Sequence, residues 1–163
     1  MMTAAVLTVS DSSAKGERAD LSGPAVARLL RQNGFEVSVE QIVADERTAI
    51  EAALMHLTEQ VQLVVTTGGT GIAERDVTPE ATRAVCSKLV EGIPEKIRAD
   101  GLAKTPFAVL SRGLCGVRGR SLILNLPGSP KGAVESLQSV IGILPHAIEL
   151  LAGKTEHRES ESP

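Results

Sequence analysis

Three short aliphatic runs, residues 3–9 (TAAVLTV), 37–43 (VSVEQIV) and 63–65 (LVV), alternate with two stretches of helical periodicity. That alternation is the strongest constraint on how this chain folds. The first helical stretch, residues 23–33, puts Val26, Leu29 and Leu30 on one face, and Gly34 follows where a helix C-terminus favours glycine. The second, residues 46–59, puts Ile50, Ala53, Leu54 and Leu57 on one side. A β-α-β-α-β order of this kind calls for parallel strands joined by right-handed crossovers. The third run is uniformly apolar, as suits a strand buried on both faces. The expected class is therefore α/β.

The third strand runs into the densest polar segment of the chain. Thr66 and Thr67 close it; Gly68, Gly69, Thr70 and Gly71 follow; Asp76 precedes Thr78, Pro79 and Glu80, which read as the capped start of a helix. Glycine permits positive φ and leaves backbone amides unshielded by a Cβ. Exposed amides, hydroxyls and a carboxylate in one strand-to-helix loop suit a phosphate or phosphate–metal site. The loop is neither a Walker loop nor a dinucleotide fingerprint, and on spacing alone a plain tight turn explains it equally well.

Further along, residues 79–89 and about 92–103 read as helices, and residues 105–112 are ambiguous. Residues 116–119 and 121–126 read as strands, the second ending in the turn Pro127-Gly128-Ser129-Pro130. Residues 131–151 are apolar at helical spacing, with Gly142 and Pro145 placed to break or bend the helix. The expected organisation is one domain over residues 1–151 and a polar tail over 152–163.

Composition removes several classes of function. Aromatic residues make up 1% of the chain and the net charge is -3, which disfavours base stacking and a nucleic-acid footprint. No apolar run approaches the roughly 18–20 residues of a membrane span. The N-terminus carries no basic region of the signal-peptide kind. Cys86 and Cys115 have no metal-ligand spacing and suit a cytoplasmic protein with reduced thiols. His56, His146 and His157 form no catalytic set.

In an open parallel sheet, ligands bind beyond the carboxyl ends of the strands where the winding reverses. With strand order 2-1-3, Ser10 and Asp11 face residues 67–71 across one crevice, and Asp45 and Asp76 lie on the same edge. Two carboxylates with glycine amides between them suit a magnesium-bound polyphosphate. Asp45 as a helix cap and Asp76 as a partner of Arg75 are the plainer readings. The turn at residues 127–130 repeats the strand-to-helix anion geometry.

The segments TTGGTGIAERDVTPEAT, GIPEKIR, TPFAVLSRG and LILNLPGSPKGAVESL, in this order, resemble the MogA/MoaB family of molybdenum-cofactor biosynthesis proteins, a domain also fused within gephyrin and plant Cnx-type proteins. GIPEKIR departs from the family, where many MogA relatives carry Pro-Gly-Phe. The resemblance spans residues 4–151 and implies a three-layer sandwich with a mostly parallel sheet, usually a homotrimer, that binds molybdopterin. The MogA branch adenylylates molybdopterin with ATP and Mg²⁺. The resemblance places the two functional aspartates at Asp45 and Asp76, as metal holders, and binding loops at Thr67, Gly68, Gly69, Thr70 and Gly71 and at Asn125, Pro127, Gly128 and Ser129. Ser10, Asp11, Ser111, Arg112 and Lys131 are further candidates for pterin or phosphate contacts. A cytoplasmic adenylyltransferase that hands its product to a molybdenum-inserting protein is the expectation. A MoaB-type molybdopterin-binding protein without catalysis and a competence-damage-type hydrolase of nucleotide diphosphates are the alternatives.

Overall fold

The structure, a computed structural model, describes residues 1–154. Six strands form one sheet in the order β2-β1-β3-β6-β5-β4. They are β1 (Met2–Val9), β2 (Phe35–Val43), β3 (Leu63–Thr67), β4 (Lys88–Leu89), β5 (Cys115–Arg118) and β6 (Ser121–Leu126). The β1–β2, β1–β3 and β3–β6 pairs are parallel, and β5 runs against both neighbours. Around the sheet lie α1 (Asp11–Ala14), α2 (Ser22–Gln32), α3 (Arg47–Thr58), α4 (Thr78–Val85), α5 (Gly92–Leu102), α6 (Pro130–Val140) and α7 (Leu144–Leu151), with a 3-10 helix at Pro106–Leu110.

Period-two alternation divides the core between two faces. Ala4 and Val6 of β1, Leu63 and Val65 of β3, and Leu122 and Leu124 of β6 pack with α2, α6 and α7. Ala5, Leu7, Val64 and Ile123 point the other way, onto Ile50, Leu54 and Leu57 of α3 and Ala81 and Val85 of α4. Helices on both faces make the three-layer sandwich, and the middles of the central strands are continuous apolar runs because neither face meets water there. β2 and β4 are the edge strands, β2 being the longer. In β2, charge marks the exposed side. Its outer positions carry Glu36 and Glu40, and Arg31 of α2 holds Glu40 at 2.8 Å.

Several boundaries differ from expectation. The helix expected over residues 79–89 ends at Val85, since Cys86 is extended and Lys88–Leu89 leave to pair with β5. Ser87 N donates to Val117 O and Val90 N to Cys115 O, both at 2.8 Å, so sheet bonds replace further helical turns. The terminal apolar stretch is broken as the positions of Gly142 and Pro145 lead one to expect, into α6 and α7, which meet at 65°. Thr78 does not cap α4: it lies inside the first turn, and its Oγ1 donates to Gly68 O at 2.9 Å. The loop expected after β1 contains α1, capped by Ser10, whose Oγ accepts from Ser13 N. The 3-10 helix resolves the ambiguous stretch, with Thr105 as its cap.

Both cysteines are free thiols beside the β4–β5 pair. Burial pushes Cys115 up to about 12 and Cys86 up to about 11. No single helix among the described residues is long and apolar enough to cross a membrane. Of the polar tail expected at 152–163, residues 155–163 lie outside the described residues.

Leu54 is fully buried between α3 and the sheet, whereas Met55 beside it is 39% exposed. Leu54→Ala is expected to cost about 2–5 kcal/mol in urea unfolding, and Met55→Ala about 0.5 kcal/mol or less. Equal losses at the two positions would contradict this layering.

Candidate functional site

The winding reverses between β1 and β3, and a cleft of about 470 Å³ opens beyond their carboxyl ends. Ser10, Asp45, Thr67, Gly68, Gly69 and Asp76 line it, with Gly128 and Ser129 closing one side. A second cavity of about 620 Å³ lies next to it, between α5, the 3-10 helix and α6, and takes in Thr70, Gly71, Ser111 and Pro127. Ser129 lines both. The glycine loop and the turn before α6 are therefore a shared wall.

Two glycines of the loop need their identity. Gly68 has φ +94°, and a Cβ there would run into Val9 O; Gly69 has φ +66°, and a Cβ would strike Thr78 Oγ1 and stand 3.3 Å from Asp45 Oδ1. Gly68 N is used internally, donating to Leu126 O at 3.1 Å. The N–H groups of Gly69, Thr70 and Gly71 have no protein partner among the described residues, which leaves them open to water or a ligand. At the facing turn, Ser129 caps α6, its Oγ accepting from Gly132 N at 3.1 Å, and the helix dipole points its positive end at the same place.

Asp45 and Asp11 hold one another. Asp11 N donates to Asp45 Oδ2 at 2.8 Å, and Asp45 N donates to Asp11 Oδ1 at 2.9 Å. Asp45 therefore does not cap α3. Asp76 accepts from Ala73 N at 3.0 Å through Oδ2, and Arg75 does not pair with it. Each of Asp45 and Asp76 keeps Oδ1 free of protein hydrogen bonds among the described residues. Burial raises the Asp45 pKa, and the charges of Asp11 and Asp76 add to the rise, against the lowering effect of the Asp11 N–H. The Asp11 carboxyl is held low, first by its hydrogen bond to Arg75.

Other candidates are placed differently from expectation. Arg112 turns away from both cavities: its Nε donates to Gly71 O at 2.8 Å, Nη2 to Asp76 O at 2.8 Å and Nη1 to Glu80 Oε1 at 2.5 Å. With its own N–H on Thr70 O, it clamps the glycine loop instead of facing a ligand. Asn125 is buried, donating to Thr66 and Thr82 and accepting from Leu114 N, so its side chain belongs to the sheet. Lys131 projects into solvent, 4.0 Å from Glu135, and lines neither cavity. Asp20 and Arg18 do line the first cleft, and sequence reasoning left both in a polar loop. The signal for Asp20 was its position three residues before Gly23, whose N–H it accepts at 3.0 Å in the manner of a cap.

Residues 5–146 match the model of a family described as a probable molybdopterin binding domain. The chain belongs to this family. A molybdopterin adenylyltransferase of Helicobacter pylori is 46% identical over 153 residues, covering 91% of this chain and 86% of the relative. The crystal structure of the molybdopterin biosynthesis enzyme MoaB from Thermus thermophilus superposes with a TM-score of 0.89 at 49% identity, covering 94% of this chain and 98% of that one. The molybdopterin biosynthesis Mog protein of Mycobacterium ulcerans gives 0.87 at 41%, with 93% and 99% covered. Membership of the molybdopterin-binding family thus extends over both cavities and the wall between them.

Asp45 ionises at a cost in the folded protein. A raised carboxyl pKa means that its ionised form is less stable in the fold than in the unfolded chain, so stability is lost as pH rises from the ordinary value of 3.8 through the folded value. Asp45→Asn, which still accepts from Asp11 N–H, is expected to melt above the wild type at pH 7, with the difference shrinking as pH falls toward 3.8. A lower melting temperature for the variant at pH 7 would contradict the assignment of burial and like charge at this carboxylate.

Proposed function

We infer that this chain is a molybdopterin adenylyltransferase of molybdenum-cofactor biosynthesis, joining the terminal phosphate of molybdopterin to the α-phosphorus of ATP and releasing pyrophosphate. The observation that carries this reading is the shared wall: two adjoining cavities of about 470 and 620 Å³ meet at unpaired loop amides and the N-terminus of α6. Two substrates that react through their phosphates need that arrangement, with their organic parts in separate chambers and their anionic ends together.

The reaction is balanced without a protein base. A phosphate monoester has a second pKa of about 6, so its oxygen is already anionic at neutral pH. That oxygen forms the new P–O bond to the α-phosphorus, the bond to the bridging oxygen of the β-phosphate breaks, and pyrophosphate carries away the electron pair. His56, on α3, is bonded to Gln60 just past that helix, and His146 sits on α7 beside Glu149; neither lines the cleft. The chain contributes alignment, the N–H groups of Gly69, Thr70 and Gly71, and the dipole of α6.

Mg²⁺ fits the donor set, which is hard oxygen only, with one uncommitted carboxylate oxygen each on Asp45 and Asp76. In this proposal these two residues hold the ion, which neutralises phosphate charge. Residues 1–151 act as one domain, in the cytoplasm, and the product passes to a molybdenum-inserting protein. Assembly as a homotrimer draws support from the exposed apolar side chains around α5 and the 3-10 helix, where Leu102, Phe107, Val109 and Leu110 are at least 47% exposed.

Pyrophosphate release from ATP should require both molybdopterin and a divalent cation. Asp76→Asn should lower turnover on the order of 100-fold while molybdopterin affinity changes little. Tight pterin binding with no adenylylated product under any divalent cation would make this a binding protein of the MoaB type. Light scattering should give three chain masses; a single chain mass across micromolar dilution would remove the trimer.

A further inference from the structure

We propose that Arg75 and Asp11 are positioning residues that set Asp45 opposite Asp76, tying together the three loops that carry the cleft's carboxylates. This rests on the reading of the cleft as a site for a divalent cation and nucleotide phosphates.

Three loops meet at this point: the β1–α1 loop with Asp11, the β2–α3 loop with Asp45 and Glu46, and the β3–α4 loop with Arg75 and Asp76. The first two are joined by the reciprocal amide–carboxylate pair of Asp11 and Asp45. That pair consumes Asp45 Oδ2 and Asp11 Oδ1 and fixes the direction of the Asp45 carboxylate. The third loop is joined by one side chain. Arg75 Nε donates to Asp11 Oδ2 at 2.6 Å, its Nη2 donates to Asp11 Oδ1 at 3.0 Å, and the same Nη2 reaches Glu46 Oε1 at 3.0 Å. Among the described residues, no other hydrogen bond links residues 71–77 to the Asp11 or Asp45 loops. Arg112 holds Asp76 from the opposite side through its carbonyl. The guanidinium of Arg75 is therefore the one direct hydrogen-bonded tie, among the described residues, between the Asp76 loop and the loops of Asp11 and Asp45, while Arg112 anchors the Asp76 loop from elsewhere.

The geometry needs arginine specifically. A planar fork can grip both oxygens of Asp11 and still present Nη2 to Glu46, whereas a lysine ammonium is a single point of charge on a flexible stem. Arg75 lines neither cavity, and its guanidinium is committed to protein carboxylates, so it is not a ligand of the anion.

Simple charge effects and positioning predict opposite signs. Arg75 is a cation close to two carboxylates proposed to bind a cation. If charge alone mattered, Arg75→Gln would strengthen divalent binding and Arg75→Lys would leave it unchanged. If Arg75 positions the site, both variants weaken it.

The test titrates Mn²⁺, as a paramagnetic stand-in for Mg²⁺, into full-length protein with α,β-methylene-ATP, reading free Mn²⁺ by electron paramagnetic resonance. Arg75→Gln and Arg75→Lys should each weaken Mn²⁺ binding by about 10–100-fold, the range seen when supports of metal ligands are removed. Asp11→Asn should weaken it similarly, and the Asp11→Asn/Arg75→Lys double variant should be little worse than either single one, because both break the same tie. Melting curves should confirm folded variants, since the Arg75 contacts are surface-exposed. In pyrophosphate release, the variants should need more metal for half-maximal rate while the KM for molybdopterin stays near wild type. Wild-type Mn²⁺ affinity in Arg75→Lys, tighter binding in Arg75→Gln, or no Mn²⁺ binding by the wild type overturns the proposal. A wild type that binds Mn²⁺ as expected yet releases no pyrophosphate would instead overturn the transferase reading and leave the positioning result standing.

Discussion

The close approach of two glycine turns governs the layout of the site. β3 and β6 are parallel neighbours, so the loops that leave their carboxyl ends emerge side by side. Gly68 N bonds to Leu126 O, and a Cβ on Gly128 would stand only 3.3 Å from Gly68 Cα. At that separation the two backbones face each other with no side chain between them. Their next amides, at Gly69, Thr70 and Gly71, and the start of α6 then converge on one region. The two chambers follow from that contact, since one opens toward β1 and the other toward α5 and α6.

A site made this way is rich in like charge and must be restrained. Burial raises the pKa of Asp45, and the nearby charges of Asp11 and Asp76 add to that rise. Arginine side chains counter the repulsion from outside the cavity. Arg75 binds Asp11 and Glu46, and Arg112 binds Glu80 and two loop carbonyls. Both guanidiniums hold the loop in shape while leaving the free oxygens of Asp45 and Asp76 and the unpaired amides to a ligand. Ionised Asp45 costs stability, and the contacts around it offset part of that cost.

Much of the architecture was legible because it is written in local periodicity. The β-α-β-α-β succession, the two buried faces of β3 and the helices with Leu30 and Leu54 inside all follow from patterns within a dozen residues, whereas the order 2-1-3 is an assumption at the level of sequence and is supplied by the sheet pairing. What escaped depends on partners far along the chain. α4 stops at Val85 because Ser87 and Val90 find carbonyls in β5, about thirty residues on, while Leu89 and Val90 continue an apolar pattern that reads as helix. Arg112 looks like a phosphate ligand until Gly71 and Asp76, 41 and 36 residues earlier, are seen to hold it. Asp11 and Asp45 were visible as carboxylates on one edge, but their mutual amide bonds across 34 residues were not. Residue types announced the chemistry of the loops; only the fold divided the roles between contact and support.

The two cysteines bear on the company this protein can keep. Their raised pKa values leave both as neutral thiols at physiological pH, and both residues sit by the β4–β5 pair. A protonated thiol is a poor nucleophile and a poor metal ligand. The cleft, in contrast, offers only hard oxygen donors. The low thiolate fraction at Cys86 and Cys115 slows their reaction with oxidants and alkylating agents, so the chemistry of this chain is left to oxygen donors and backbone amides.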